Sequence, residues 1–263
     1  MLRRLPVRSG GELDAMRAAG RLVGDTLELL RARALPGAVL GDLDALAEEH
    51  IRQGGGVPSF LGYHGFPATI CTSVNEQVLH GIPGAYRLAH GDLFSIDCGA
   101  IVDGWHGDAA ITVHVGTGRA ADVLLREACE RALAVAVSAM RPGARLSDIG
   151  AAVQASVTAS AAADHSRYGI VTDYTGHGIG TSMHLWPNVA NVGPGGRGPR
   201  LRAGVTLALE PMLTLGAPEV SVLADGWTVV TDDGSRGAHV EHTVAVTDDE
   251  PWVLTASEPD IPS

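Results

Sequence analysis

The sequence predicts an α+β fold of two related halves, with antiparallel sheets meeting at a central seam and helices on the outside. Three observations lead to it: two helix pairs of matching pattern, strand-like segments after each pair, and an internal repeat. The repeat aligns PGAVLGDLDALA from Pro36 with PGARLSDIGAAV from Pro142, without a gap, at Pro, Gly, Ala, Leu, Asp and a later Ala.

The elements follow in order. Ser9 and Glu12 have the spacing of a capping box and open a helix through Leu13, Met16, Ala19, Leu22, Val23, Leu27 and Leu30, expected to reach about Ala34. Pro36-Gly37 breaks it. Leu40, Leu43, Leu46, Ala47 and Ile51 mark a second amphipathic helix that stops at Gly54, Gly55 and Gly56. In the second copy the helices are expected at Ala121 to Met140 and Ser147 to about Ala163. The halves run over about 9–118 and 119–250, and 252–263 reads as a loose C-terminal tail. The loop NVGPGGRGPRLRAG has the GxGxxG spacing, but no helix signal follows it, so a dinucleotide site is not expected.

Composition excludes several classes of function. The formal net charge of −11 argues against gripping phosphate backbones, a task that needs clustered cations, so no nucleic acid is expected as a direct partner. Every basic residue is an arginine, and without lysine there is no Schiff-base chemistry and no Walker-type phosphate grip. No apolar run approaches the roughly 18 residues that span a bilayer, and no apolar signal segment follows the first arginines; a cytoplasmic protein without a membrane partner is expected. Cys71, Cys98 and Cys129 fit no metal-finger or redox spacing and read as free, buried thiols.

The chemistry starts in SIDCGAIVDGWHGDAAI. Leu93–Val102 and Trp105–Val115 flank Asp103-Gly104, a dipeptide suited to a two-residue hairpin turn because both positions tolerate positive φ. Pairing Val102 with Trp105 sets Asp97 opposite Ala110 and Asp108 opposite Gly99, which makes Asp97 and Asp108 diagonal neighbours on one face. Two like charges there need a cation between them, and arginine or metal must supply it. The hairpin alone leaves a salt-bridged structural pair and a metal site both open. The second half adds His177 and His184 in the Gly-rich TGHGIGTSMH, Glu210 before Pro211, and Glu241 on a strand face with His239 and Thr243. Together these make an oxygen-rich set with one nitrogen ligand, suited to paired Mn(II), Fe(II), Co(II) or Zn(II).

SVNEQVLHGIP, SIDCGAIVDGWHGDAA, TGHGIG followed by MH, LEPM and VEHT, in this order, closely resemble the bacterial type I methionine aminopeptidases of the pita-bread metallopeptidase superfamily. The resemblance runs from Glu12 through the strand after Glu241. It implies the pita-bread fold of two pseudo-twofold halves and one catalytic domain over 1–263. It implies two divalent ions (Co, Mn, Fe or Zn), with Asp97 on one, His177 and Glu210 on the other, and Asp108 and Glu241 bridging. The activity implied is hydrolytic removal of N-terminal methionine from nascent proteins and peptides, favoured by a small second residue. Glu210 would take a proton from the attacking water and pass it towards the departing amine. The substrate's α-amine would sit on the Asp97 side. His184 would donate to the carbonyl oxygen, and His80 would contact the scissile amide.

Tyr63, Phe66, Cys71, Met183 and Trp227 stand at family-like positions for a methionine pocket. The implied setting is a monomer working near the ribosome exit. Two departures are noted: Leu185-Trp186-Pro187 follows His184 where acidic residues are common, and His239 replaces a common glutamine. His239 is expected as a hydrogen-bonding neighbour of the ligands, with approach to the metal site itself as the alternative, and His106 as a neighbour or rim residue and not a sixth ligand. The alternatives are an Xaa-Pro aminopeptidase or prolidase, which would carry a further N-terminal domain before Glu12, and an inactive binding module, which would have lost ligands.

Overall fold

The computed structural model describes residues 4–257. Ser9 caps α1 (Gly10–Arg33) reciprocally with Glu12, as the capping box requires. α2 (Leu40–Gln53) follows, then the strands β1 (Val57–Pro58), β2 (Ile70–Val74) and β3 (Gln77–Leu79), and the hairpin of β4 (Leu93–Val102) and β5 (Trp105–His114). The second half repeats the helix pair as α3 (Ala120–Ser138) and α4 (Leu146–Ala163). Its strands are β6 (Gly169–Ile170), β7 (Gly176–Gly178), β8 (Leu185–Val189), β9 (Thr206–Leu209) and β10 (Met212–Thr214). β11 (Val220–Val222), β12 (Val229–Thr231), β13 (Gly237–His239), β14 (Glu241–Ala245) and β15 (Trp252–Val253) complete them.

The main sheet has the order β1-β4-β5-β14-β9-β7-β8, with β2 also on β4 and β15 also on β14, so β5 and β14 form the seam between the halves. Two three-stranded sheets, β13-β10-β6 and β11-β12-β3, flank it. Each helix pair covers its own half. Leu27, Leu30 and Ile51 pack with Phe94 and Ile96, while Leu125, Cys129, Ile149 and Val153 pack with Leu207 and Leu209. α1 lies directly on the hairpin: a Cβ on Gly107 would come within 2.8 Å of Gly20 Cα, so backbone touches backbone there.

The internal repeat extends to single hydrogen bonds. Gly37 N donates to Leu88 O and Gly143 N to Leu201 O; Leu40 N donates to Tyr86 O and Leu146 N to Pro199 O. Further on, Gly91 N donates to Val115 O and Gly204 N to Val246 O. Counting from these matched bonds, Asp97 and Glu210 are equivalent, each six residues beyond its glycine. Asp108 and His239 are also equivalent, each seven residues before its valine.

The hairpin has the expected register at all ten pairs, including Asp97 with Ala110 and Asp108 with Gly99. Asp103 and Gly104 both have positive φ, 49° and 80°. The matching region of the second half is bent. β9 ends at Leu209, one residue before Glu210, and the chain passes through Pro211 into a different sheet as β10. Opposite, β13 ends at His239 and β14 begins at Glu241, so these two residues lie on separate strands and not on the single strand face expected from alternation. Pro211, which has no N–H to give a ladder, marks the corner.

A second correction concerns the C-terminus. Residues 252–257 are not a loose tail: β15 pairs with β14, Leu254 and Thr255 are buried, and Arg17 on α1 donates to the carbonyls of Leu254 and Ala256. Residues 258–263 lie outside the described residues.

Candidate metal centre and substrate pocket

A cleft is lined by Asp97, Asp108, His177, Glu210 and Glu241, together with His80, His184, Tyr63, Phe66, Cys71, Met183 and Trp227. Every candidate residue from the sequence is therefore brought to one place. Asp108, His177 and Glu241 offer ligand atoms that all lie within 4.8 Å of one another. The hairpin aims the two aspartates, while the bent ladder aims the two longer glutamates across from them.

Electrostatics at this end of the cleft are unfavourable without a cation. Burial and mutual repulsion push the Asp108, Glu210 and Glu241 carboxyls well above their usual range, and burial raises Asp97 to about 7. Asp97 Oδ1, Asp108 Oδ1 and Glu241 Oε1 are buried without any hydrogen-bond partner. Native proteins rarely leave such atoms unpaired, and hard divalent cations are the partners that oxygen sets of this kind accept. His177 completes the set. Its Nδ1–H donates to Gly178 O at 3.0 Å, which leaves the Nε2 lone pair facing Glu210 Oε1 at 3.6 Å and Asp108 Oδ2 at 3.9 Å. Burial lowers its pKa to about 4, so the ring is neutral at pH 7. The donors present fit a divalent metal centre.

An apolar wall lines the other side of the cleft. Phe66 and Trp227 meet edge to face, with ring centroids 5.1 Å apart, and Phe60, Cys71 and Met183 pack around them. The Cys71 thiol is held protonated by burial and by the neighbouring aspartates. Asp225 sets Trp227 in place by accepting from its backbone N–H. His80 follows β3 with a φ of 57° and stacks edge-on to Tyr174, 5.5 Å between centroids; burial lowers its pKa to about 4. His184 Nδ1 is 2.9 Å from the Tyr63 hydroxyl, and its ring lies 4.3 Å from that of His177.

Sequence reasoning missed Phe60 and Ile82 of the pocket cluster. Phe60 stands three residues before Tyr63 in SFLGYHGF, and Ile82 lies inside SVNEQVLHGIP two residues after His80, so nearness to a quoted motif was a usable signal for both. His106 stands apart from the candidate ligands: its Nδ1 is 3.0 Å from Ser59 Oγ, and its backbone N–H donates to Gly180 O. Leu185 and Trp186 pair into β8 and do not line the cleft.

The sequence model of metallopeptidase family M24 matches residues 14–248. The chain belongs to metallopeptidase family M24. Membership brings divalent-metal hydrolase chemistry, in agreement with the donors just described. Among curated relatives of this M24 chain, methionine aminopeptidase 1 of Mycobacterium tuberculosis is 55% identical over 252 residues, covering 95% of both chains. Among solved structures, the methionine aminopeptidase of Thermotoga maritima superposes with a TM-score of 0.92 at 36% identity, covering 96% of this chain and 100% of that one. The prolidase of Pyrococcus furiosus shares the pita-bread fold with a TM-score of 0.74 at 19% identity, but this chain covers only 66% of it. The prolidase-like alternative is not favoured.

Proposed function

We propose that this chain is a methionine aminopeptidase that removes N-terminal methionine from nascent proteins and peptides, with two divalent ions of Mn, Fe, Co or Zn. The observation that carries the proposal is the meeting, in one cleft, of a carboxylate–imidazole cluster with a wall of Phe60, Phe66, Cys71, Met183 and Trp227. An unbranched thioether fits such aromatic and sulfur-bearing walls, which suit polarizable, adaptable side chains. The charged cluster closes the other end, where a free α-amine finds carboxylates.

Asp97 would hold one ion, His177 with Glu210 the other, and Asp108 and Glu241 would contribute to both. Bound there, the ions would supply Lewis acidity and lower the pKa of the attacking water. The chain's own groups do the remaining work. Glu210, whose carboxyl is already disposed to hold a proton, accepts one from the water and returns it to the departing amine. A Tyr63 hydroxyl donating to His184 Nδ1 would leave the His184 ring proton on Nε2, as a donor to the carbonyl oxygen gaining charge. His80, neutral at pH 7, contacts the scissile amide. Carboxylates on the Asp97 side hold the α-amine, so only the first residue enters the pocket. The protein would act as a cytoplasmic monomer near the ribosome exit.

The test strips the protein of metal, reloads it separately with Mn, Fe, Co and Zn, and profiles peptides varied at the first two positions. Release of methionine ahead of small second residues is expected. Failure to cleave any N-terminal methionine peptide with every metal would overturn the reading.

A further inference from the structure

His239 is a buried imidazole, 2% exposed, whose Nε2 has no hydrogen-bond partner. That nitrogen is 3.8 Å from Glu210 Oε2 and 4.0 Å from Glu241 Oε2. The separations are too long for hydrogen bonds, which end near 3.2 Å for N–H···O. They are those of two ligand atoms on a shared cation: with metal–ligand bonds of about 2.1 Å, such atoms lie between about 3.0 Å (at right angles) and 4.2 Å (opposed). His177 stands at 3.6 Å from Glu210 Oε1 and 3.9 Å from Asp108 Oδ2, the same relation on the other side. Glu210 is thus bracketed by two imidazoles, one on each carboxylate oxygen.

The internal repeat supplies an independent argument. His239 occupies the second-half position equivalent to Asp108, the hairpin residue that faces the centre with an unpartnered oxygen. Its backbone is fixed as firmly as a ligand needs: His239 N donates to Thr112 Oγ1 at 3.1 Å, and Thr112 donates back to His239 O at 2.7 Å. Thr112 belongs to β5, so one strand holds both Asp108 and the base of His239 in register.

We infer that His239 is a sixth ligand of the metal centre, binding through Nε2 beside Glu210 and Glu241 and making this a two-imidazole site. The inference rests on the reading of the cleft as a metal centre. A second nitrogen donor moves the site away from the all-oxygen preference of Mn(II) and towards Co(II), Fe(II) and Zn(II).

Co(II)-loaded protein provides the test, because a coordinated imidazole gives one exchangeable, hyperfine-shifted ring N–H signal in proton NMR. Two such signals are expected in the wild type. His239→Gln should leave one, His177→Gln should leave the other, and the two remaining signals should differ in shift. A chelator competition should show Zn(II) affinity falling about 10-fold or more in His239→Gln, the scale reported for altered metal surroundings, with Mn(II) affinity changed much less. Should His239→Gln fail to fold, the wild-type count and His177→Gln decide the matter between them. A single signal that survives His239→Gln and vanishes in His177→Gln overturns the inference and leaves the peptidase reading intact. Absence of stoichiometric cobalt in the wild type, measured by elemental analysis, overturns both.

Discussion

The first half offers Asp97 and Asp108 on one uninterrupted hairpin of ten-residue strands, whereas the second half offers Glu210, His239 and Glu241 at a corner where both strands change sheets. Equivalent backbone positions therefore carry short side chains on a straight ladder and long ones on a bent ladder. The difference teaches how a pseudo-symmetric scaffold makes an asymmetric site. The straight ladder needs only side-chain parity to aim two carboxylates. The bent ladder must reach back from the corner, and glutamate and histidine have the length for that.

The comparison can be broken most forcefully at Asp108. Asp108→Ala removes the group that faces both sides, and cleavage of a Met-Ala peptide should fall to background together with the metal content measured by elemental analysis. Glu210→Gln keeps the shape of the second-half ligand but removes its ability to take a proton. A loss of about 10²–10⁴-fold in kcat/KM is expected, at the scale of general-base catalysis, and a loss below 10-fold would assign the proton transfer elsewhere.

Proton release sharpens the same contrast. Without metal, Asp97 holds a proton up to about pH 7, and Asp108, Glu210 and Glu241 are also shifted upward, so each entering cation must displace protons. Metal affinity should therefore rise with pH from 6 to 8, about tenfold per unit for each proton displaced. His177, with a pKa near 4, has no proton to give up in that window. Calorimetry in two buffers of different ionisation enthalpy counts the protons, and Asp97→Asn should lower the count. Invariant affinity across that range would contradict the raised carboxyls.

Smaller effects test the scaffolds. Gly107→Ala pushes a methyl into the α1 backbone at Gly20, and overpacking of this kind costs roughly 1–3 kcal/mol. For a chain of this size that corresponds to a Tm lower by about 2–4 °C per kcal/mol, read in a thermal melt. Ser9→Ala removes the α1 cap and should cost about 1 kcal/mol. The matching second-half helix α3 starts at Arg119 without a side-chain cap, so the two ends can be compared directly.

The hairpin half of the centre was legible because strand parity and an Asp-Gly turn are local rules, and they placed Asp97 and Asp108 correctly before any fold was in view. The resemblance pointed to the second half's candidate ligands, but alternation alone misread the strand: HVEHTVAV looks continuous, and only the corner opposite Pro211 puts His239 and Glu241 on different strands. Ile82 lies inside the quoted SVNEQVLHGIP, yet no periodicity singles it out, and its cluster partners Met183 and Trp227 are distant in the chain. The binding of residues 252–257 was equally hidden, since their partners Gly20 and Arg17 lie more than 230 residues earlier.

That last contact bears on how the molecule is made. Gly20 of helix α1 is synthesised more than 230 residues before Leu254 and Thr255, yet it packs against both of them as well as against Gly107 of the hairpin. Closure over such a span carries a loop-entropy cost that must be met before the contact repays it. Helix and hairpin can pair before the segment at Leu254 is made, but the clasp on α1 cannot.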